Sequence, residues 1–288
     1  MTGKGNMRGP DFLVIGAQRA GTTWIHLLLR QHKALWLPPV KELHYFDKPE
    51  VDRTLTDDKE LRRVILLALY SPSLWHFPYL LGKRNQDWYV RLFQRARAKG
   101  LITGEITPAY ATLGEEVWRR IHAMNDKIKL IFVMRDPVDR VWSSLNNTAK
   151  KNRLNGELTM ATALKRAHSS GPTLRSDYPD TIRRLEAIFP PDQLYFCFFD
   201  DLRARPAEFA RGLLTFLGVD PGDVAKLLPK EAVNVVATNK PIPPEFEREM
   251  ARTYLPLVEQ LCERFEGAPR NWRTRYEKLI QTERDTLN

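Results

Sequence analysis

The stretch that decides the fold is residues 11–32, DFLVIGAQRAGTTWIHLLLRQH. Phe12, Leu13, Val14 and Ile15 form a short apolar run, the length expected of a strand buried in a parallel sheet. The run breaks into the glycine-bracketed loop Gly16-Ala17-Gln18-Arg19-Ala20-Gly21-Thr22-Thr23. From there Trp24, Leu27, Leu28 and Leu29 fall near helical spacing, which places Thr22 or Thr23 at a helix N-terminus. Unpaired backbone N–H groups and the positive end of the helix dipole face an anion at such a terminus.

The spacing G-x-x-x-x-G resembles the phosphate loop of nucleoside-triphosphate enzymes. That motif continues Gly-Lys-Ser/Thr, with the lysine on the β- and γ-phosphates. Here Thr22 follows Gly21, and the cation lies inside the turn as Arg19. The arrangement suits an anion other than a Mg-bound triphosphate. Taken alone the motif also fits a plain strand-to-helix turn, so the surrounding chain has to decide.

Outward from this loop, strands and helices alternate. Residues 41–47 (KELHYFD) alternate polar and apolar positions, which predicts a short strand or extended edge with Glu42 and His44 on one side and Leu43 and Tyr45 on the other. A helix is predicted over 61–69, followed by an aromatic loop over 70–79. Further helices are predicted over 86–98, 115–124, 138–148, 158–167, 180–189 and 206–217, and a long final helix over 245–265. Strands are predicted over 101–105, 127–134 and 193–199, and a flexible polar break over 147–155. This order implies a parallel central sheet flanked by helices, a three-layer P-loop-like α/β fold. We expect residues 1–288 to form a single domain behind a disordered tail over 1–10.

The chain of 288 residues carries a formal net charge of +10, which favours an anionic partner and not a particular fold. The arginines and lysines at 91, 95, 97 and 99 are spaced as a solvated helix face, so no dedicated nucleic-acid surface is expected. No apolar run of signal-peptide length follows Met1 and none approaches 18 residues, so a cytoplasmic protein that does not span a membrane is expected. Cys197 and Cys262 are read as buried free thiols.

A second constellation follows the strand at 127–134. Arg135 lies at its end, Pro137 opens the next helix, and Ser143 comes about two turns along it. Ligands of open α/β sheets bind outside the carboxyl ends of the strands, where both Arg19 and Arg135 fall. Locally, R-D-P is also compatible with Arg135 simply pairing with Asp136 or Asp139.

Read in order, GAQRAGTT, KELHYFD, WYVRLF, GEITPAY, MNDKIKLIFVMRDPVDRVWSS and LYFCFFDDL make the chain similar to sulfotransferases that use 3′-phosphoadenosine 5′-phosphosulfate (PAPS). The branch most resembled holds the domains that modify heparan sulfate, and the likeness runs from residue 12 to about residue 217. Residues 51–84 and the C-terminal quarter match poorly.

The resemblance implies that Gln18, Arg19, Ala20, Gly21, Thr22 and Thr23 hold the 5′-phosphosulfate and that Arg135 and Ser143 hold the 3′-phosphate. It implies Glu42 as the base, His44 as the reserve base, and Lys41 with Arg19 at the leaving oxygen. The acceptor would be a hydroxyl or amine of an unidentified glycan or small molecule, the product 3′,5′-bisphosphate is PAP, and no metal is required. Two residues depart from the family pattern. Arg19 stands where lysine is usual, and Ile106 stands where heparan-type members commonly carry a lysine. The other readings in view are a nucleotide kinase or hydrolase with an altered loop, and a non-catalytic binder of an acidic polymer. Oligomeric state is not legible.

Overall fold

The computed structural model describes residues 8–48, 75, 79, 84–151, 159–229 and 241–287. Strand β1 (Phe12–Gly16) is buried along its whole length and runs into helix α1 (Thr22–Gln31). Strand β2 (Leu35–Trp36) is short; α2 (Gln86–Arg97), β3 (Ile102–Ile106), a 3-10 turn over Pro108–Thr112, α3 (Glu115–Met124) and β4 (Lys129–Met134) follow. Helices α4 (Pro137–Lys151), α5 (Met160–Ala167), α6 (Ser170–Ser176) and α7 (Tyr178–Glu186) lead to β5 (Leu194–Phe198). Beyond it come α8 (Phe199–Ala204), α9 (Pro206–Leu217), α10 (Val224–Leu227), α11 (Pro244–Arg264) and α12 (Ala268–Leu287).

Among the described residues the strands form one parallel sheet in the order β2-β3-β1-β4-β5. β1 is central, and its fully buried residues read as a continuous apolar run because helices cover both faces. The chain leaves β1 toward β2 on one side, whereas β4 leads to β5 on the other. The crevice between the carboxyl ends of β1 and β4 is therefore the switch point of the sheet, where α/β proteins bind ligands.

Several sequence expectations are corrected. Residues 41–47 are not a strand: Glu42 and His44 take left-handed backbone angles, φ 64° and 53°, which no ladder accommodates. Leu43 still points into the core, so the two-sided placement of the side chains survives by a different route. Helix α1 stands where the spacing predicts it; its buried apolar residues are Ile25, Leu28 and Leu29, with Trp24 and Leu27 half-buried. Helix α4 runs into the predicted polar break as far as Lys151, because residues 147–151 include no glycine or proline to end it, and residues 152–155 of that break lie outside the described residues. The helix over 245–265 is not the last, since α12 packs beside it.

Cys197 and Cys262 are free thiols, but only Cys197 is buried. Residues 8–10 are tied to the body, with Arg97 donating to the carbonyls of Arg8 at 2.7 Å and Gly9 at 2.6 Å. The helix predicted over 61–69 lies outside the described residues. Of the aromatic loop, Trp75 and Tyr79 are described and are buried, and Trp75 Nε1 donates to the carbonyl of Leu92 at 2.9 Å. Among the described residues no helix is long and apolar enough to cross a membrane.

Candidate functional site

The loop between β1 and α1 is shaped by two glycines. A Cβ on Gly16 would meet the Cβ of Ala111 at 2.9 Å and the carbonyl of Pro108 at 3.2 Å. Gly21 is the N-cap of α1 at φ 82°, and a Cβ there would meet Phe199 Cδ2 at 3.0 Å. The first turn of α1 has no acidic residue and Gly21 offers no side-chain cap, so the N–H groups of Thr22 and Thr23 keep the open terminus that binds anions. Ala20 is fully buried and closes the turn through its N–H to the carbonyl of Ala17, whereas Gln18 is half-buried on the loop.

Arg19 also adopts a left-handed backbone, φ 72°. Its Nε donates to Ser143 Oγ at 3.0 Å, across 124 residues of sequence, and its carbonyl accepts from Arg135 Nη1 at 2.8 Å. The loop after β1 and the helix after β4 are thereby drawn together at the switch point. Both guanidinium groups are held below their ordinary basicity by burial, and the charge of Arg135 adds to the effect on Arg19.

Among the described residues no ion pair engages Arg19 or Arg135. The pairing of Arg135 with Asp136 or Asp139 that R-D-P allowed is not made. Those carboxylates bind Arg275, at 2.9 and 3.0 Å. Arg135 instead lies over the Phe199 ring at 4.9 Å, and its buried Nε has no hydrogen-bond partner. A buried orphan donor on a cation is costly until an anion accepts from it. The residues present therefore fit a phosphate group.

The 41–47 segment faces the first turn of α1. Lys41 Nζ donates to Glu42 Oε1 at 2.9 Å and reaches Thr23 Oγ1 at 3.4 Å, so it stands between the loop and the carboxylate. His44 Nε2 is 3.5 Å from Glu42 Oε2, and His44 Nδ1 is bonded to Asp47 Oδ2 at 2.7 Å. His44, with Lys41, holds Glu42 down at about 2 against the opposing effect of burial. Asp47 and Glu42 together raise His44 to about 9. At neutral pH this is a carboxylate flanked by two cations.

Every residue expected on sequence grounds thus falls at one end of the sheet. Arg19, Arg135 and Ser143 form one cluster, and Lys41, Glu42 and His44 form another, which reaches the first turn of α1 through the contact of Lys41 with Thr23. Sequence reading missed the residues behind them. Glu105 carried a signal within GEITPAY but no role, and Arg275 carried none. Among the described residues no group of three or more His, Cys, Asp or Glu could hold a metal ion.

A glycine-turned loop at the switch point of a parallel sheet, with two arginines that no ion pair engages among the described residues and an uncapped helix terminus, defines a P-loop-like α/β protein. The sulfotransferase family model matches residues 10–223, and the chain belongs to that family. Mouse heparan sulfate glucosamine 3-O-sulfotransferase 6 is 31% identical over 232 residues, 76% of this chain and 55% of that protein. The bovine bifunctional heparan sulfate N-deacetylase/N-sulfotransferase 2 is 24% identical over 234 residues, 74% of this chain and 22% of that protein. The chain therefore spans about half, or less, of the length of these relatives.

Among solved structures, a sulfotransferase from Alicyclobacillus acidocaldarius shares the fold with a TM-score of 0.65 at 23% identity, covering 91% of this chain and 98% of that one. The mouse sulfotransferase SULT7A1, solved with PAP, matches with a TM-score of 0.53 at 13% identity, covering 92% and 88%.

Proposed function

We propose that this chain transfers a sulfuryl group from PAPS to a hydroxyl or amine of a glycan or small-molecule acceptor. The observation that carries the reading is the pair of half-buried arginines, Arg19 and Arg135, with no carboxylate ion-pair partner among the described residues, beside the ionised Glu42. Gln18, Ala20, Gly21, Thr22 and Thr23 would cradle the 5′ end through backbone N–H groups and hydroxyls, with Arg135 and Ser143 at the 3′-phosphate. PAPS, when bound, supplies an activated sulfuryl group whose departure leaves PAP.

Glu42 accepts the acceptor's proton, since it is ionised at neutral pH. His44, raised to about 9, already holds its proton and serves to orient Glu42. Lys41, shared between Glu42 and Thr23, is placed to follow negative charge as it develops on the leaving oxygen. Moving Lys41 away from Glu42 would raise the carboxylate's basicity as it is needed.

The names of the relatives make heparan sulfate the first acceptor to try. Ile106, buried in this chain, offers no cation to a sulfated polymer, which argues for a less anionic acceptor. A cytoplasmic address belongs to the same reading.

Calorimetric titration with PAP and with ATP, each with and without Mg²⁺, tests the donor. PAP should bind without metal, and Arg135→Ala should weaken it by about tenfold to a hundredfold, the value of one charge-assisted contact. A preference for Mg-ATP would move the chain to the kinase reading.

A further inference from the structure

Behind the Lys41–Glu42–His44 face lies a second carboxylate that the chemistry above leaves unused. Glu105, near the carboxyl end of β3, is 1% exposed. Its Oε1 accepts from Tyr89 Oη at 2.6 Å and from Tyr110 Oη at 2.9 Å, and its Oε2 accepts from Thr107 Oγ1 at 3.3 Å. The titratable groups facing it are Tyr89 from α2, Tyr110 from the 3-10 turn and His44 from the 41–47 loop. Burial raises the carboxyl to about 7 against the pull of its hydroxyl donors and of His44. Its partners within hydrogen-bond reach are neutral, so the group is held by geometry and not by an ion pair.

Tyr110 links this carboxylate to the site. A phenol has one proton to donate and lone pairs to accept with. The proton goes to Glu105, and the oxygen accepts from the N–H of Tyr45 at 3.0 Å and, more weakly, of Phe46 at 3.5 Å. The same loop is fastened at its other end, where the N–H of Glu42 donates to the carbonyl of Ile106, the residue after Glu105, at 3.2 Å. The Tyr45 ring lies stacked on Tyr89 with centroids 4.4 Å apart, and the Phe46 ring meets Tyr110 edge-on at 5.4 Å. Glu42, whose N–H makes the first fastening, and His44, which lies between the two, both have left-handed backbone. Such angles persist in non-glycine residues only when the surroundings over-determine them.

We propose that Glu105 is a positioning residue: by accepting the Tyr110 hydrogen bond it fixes the phenol oxygen that holds the 41–47 backbone in the conformation setting Glu42 between Lys41 and His44. Its consequence for turnover rests on Glu42 being the base, but the geometry it asserts does not.

The test reads His44 by ring ¹⁵N shifts in histidine-labelled protein, with the signal assigned by its loss in His44→Gln. Wild-type His44 should titrate near 9. Tyr110→Phe removes a hydroxyl and no charge, and should lower that value by about one pH unit or more as the contacts to Glu42 and Asp47 loosen. Tyr89→Phe takes an equal hydroxyl from Glu105 but none from the loop backbone, and should leave His44 within about 0.3 unit. PAP affinity should hold within about twofold in both, showing the phosphate loop intact. An unchanged His44 in a PAP-binding Tyr110→Phe protein overturns the proposal.

Should that variant not bind PAP, amide exchange in the wild type decides. The Tyr45 N–H should be protected by about a hundredfold or more, and exchange at the free-peptide rate sinks the idea. If Glu42 were not the base, Glu42→Gln would keep its turnover while the His44 shift in Tyr110→Phe still stood, so the two failures are separable.

Discussion

Glu42 is held between His44 and Lys41 by contacts of short reach. Each shift has a named neighbour as its cause, and the pH behaviour follows from them. Glu42 lies at about 2 in the folded protein against an ordinary 4.5, so its pairing stabilises above 4.5 and is lost as pH falls toward 2. His44 lies at about 9 against 6.5, so its contribution is complete below 6.5 and is lost as pH rises through 9. The two windows overlap between 4.5 and 6.5. Denaturant unfolding at a series of pH values should show stability declining from 6.5 to 9, and His44→Gln should flatten that limb. An equally steep limb in the variant would assign the decline to another group.

The same residues set the kinetic expectation. Glu42→Gln should cut sulfuryl transfer from labelled PAPS to heparan sulfate, the probe acceptor, by about 100-fold or more, while PAP affinity stays put. Turnover at the wild-type rate would remove Glu42 from the base's role. At this scale the candidate residues were legible in the sequence, because loop and strand-end motifs are local. Their protonation states were not, since these depend on Asp47 and Lys41 approaching through a bent backbone that period-2 alternation had read as a strand.

Among the elements, α12 is the one whose importance the sequence concealed. Asp136 caps α4, accepting from the N–H groups of Val138 at 2.9 Å and Asp139 at 3.2 Å. Arg275 and Tyr276 of α12 bind that cap, at 2.9 and 2.7 Å, and Arg275 also pairs with Glu247 of α11. Trp272 Nε1 adds a contact to Asp200 at 3.3 Å. The C-terminal helices, beyond the 10–223 family match, thus brace the backbone that carries Arg135. Arg275→Met should lower stability by about 1–3 kcal/mol, less than for a fully buried pair because Arg275 is partly exposed. It should also weaken PAP. An unfolding midpoint equal to wild type would show that Tyr276 alone suffices.

For the molecule as a whole, the candidate site lies where β1 and β4 send the chain in opposite directions, the crevice in which open α/β sheets bind ligands. PAP at about 100 times its Kd should add about 2.7 kcal/mol, which for a chain of this size raises Tm by about 4–5 °C. ATP at the same concentration should add far less, and equal shifts would deny the site its 3′-phosphate preference.

The sequence by itself determined the parallel α/β layers, the glycine loop and the place of both arginines at strand ends. Those features depend on periodicity and on neighbours a few residues apart. Tertiary structure alone decided that Arg19 meets Ser143, that Asp136 turns to Arg275 and not to Arg135, and that Glu105 reaches the loop through Tyr110. Those contacts join residues up to 139 apart, and a hydrogen bond is set by position in space, which no local pattern encodes.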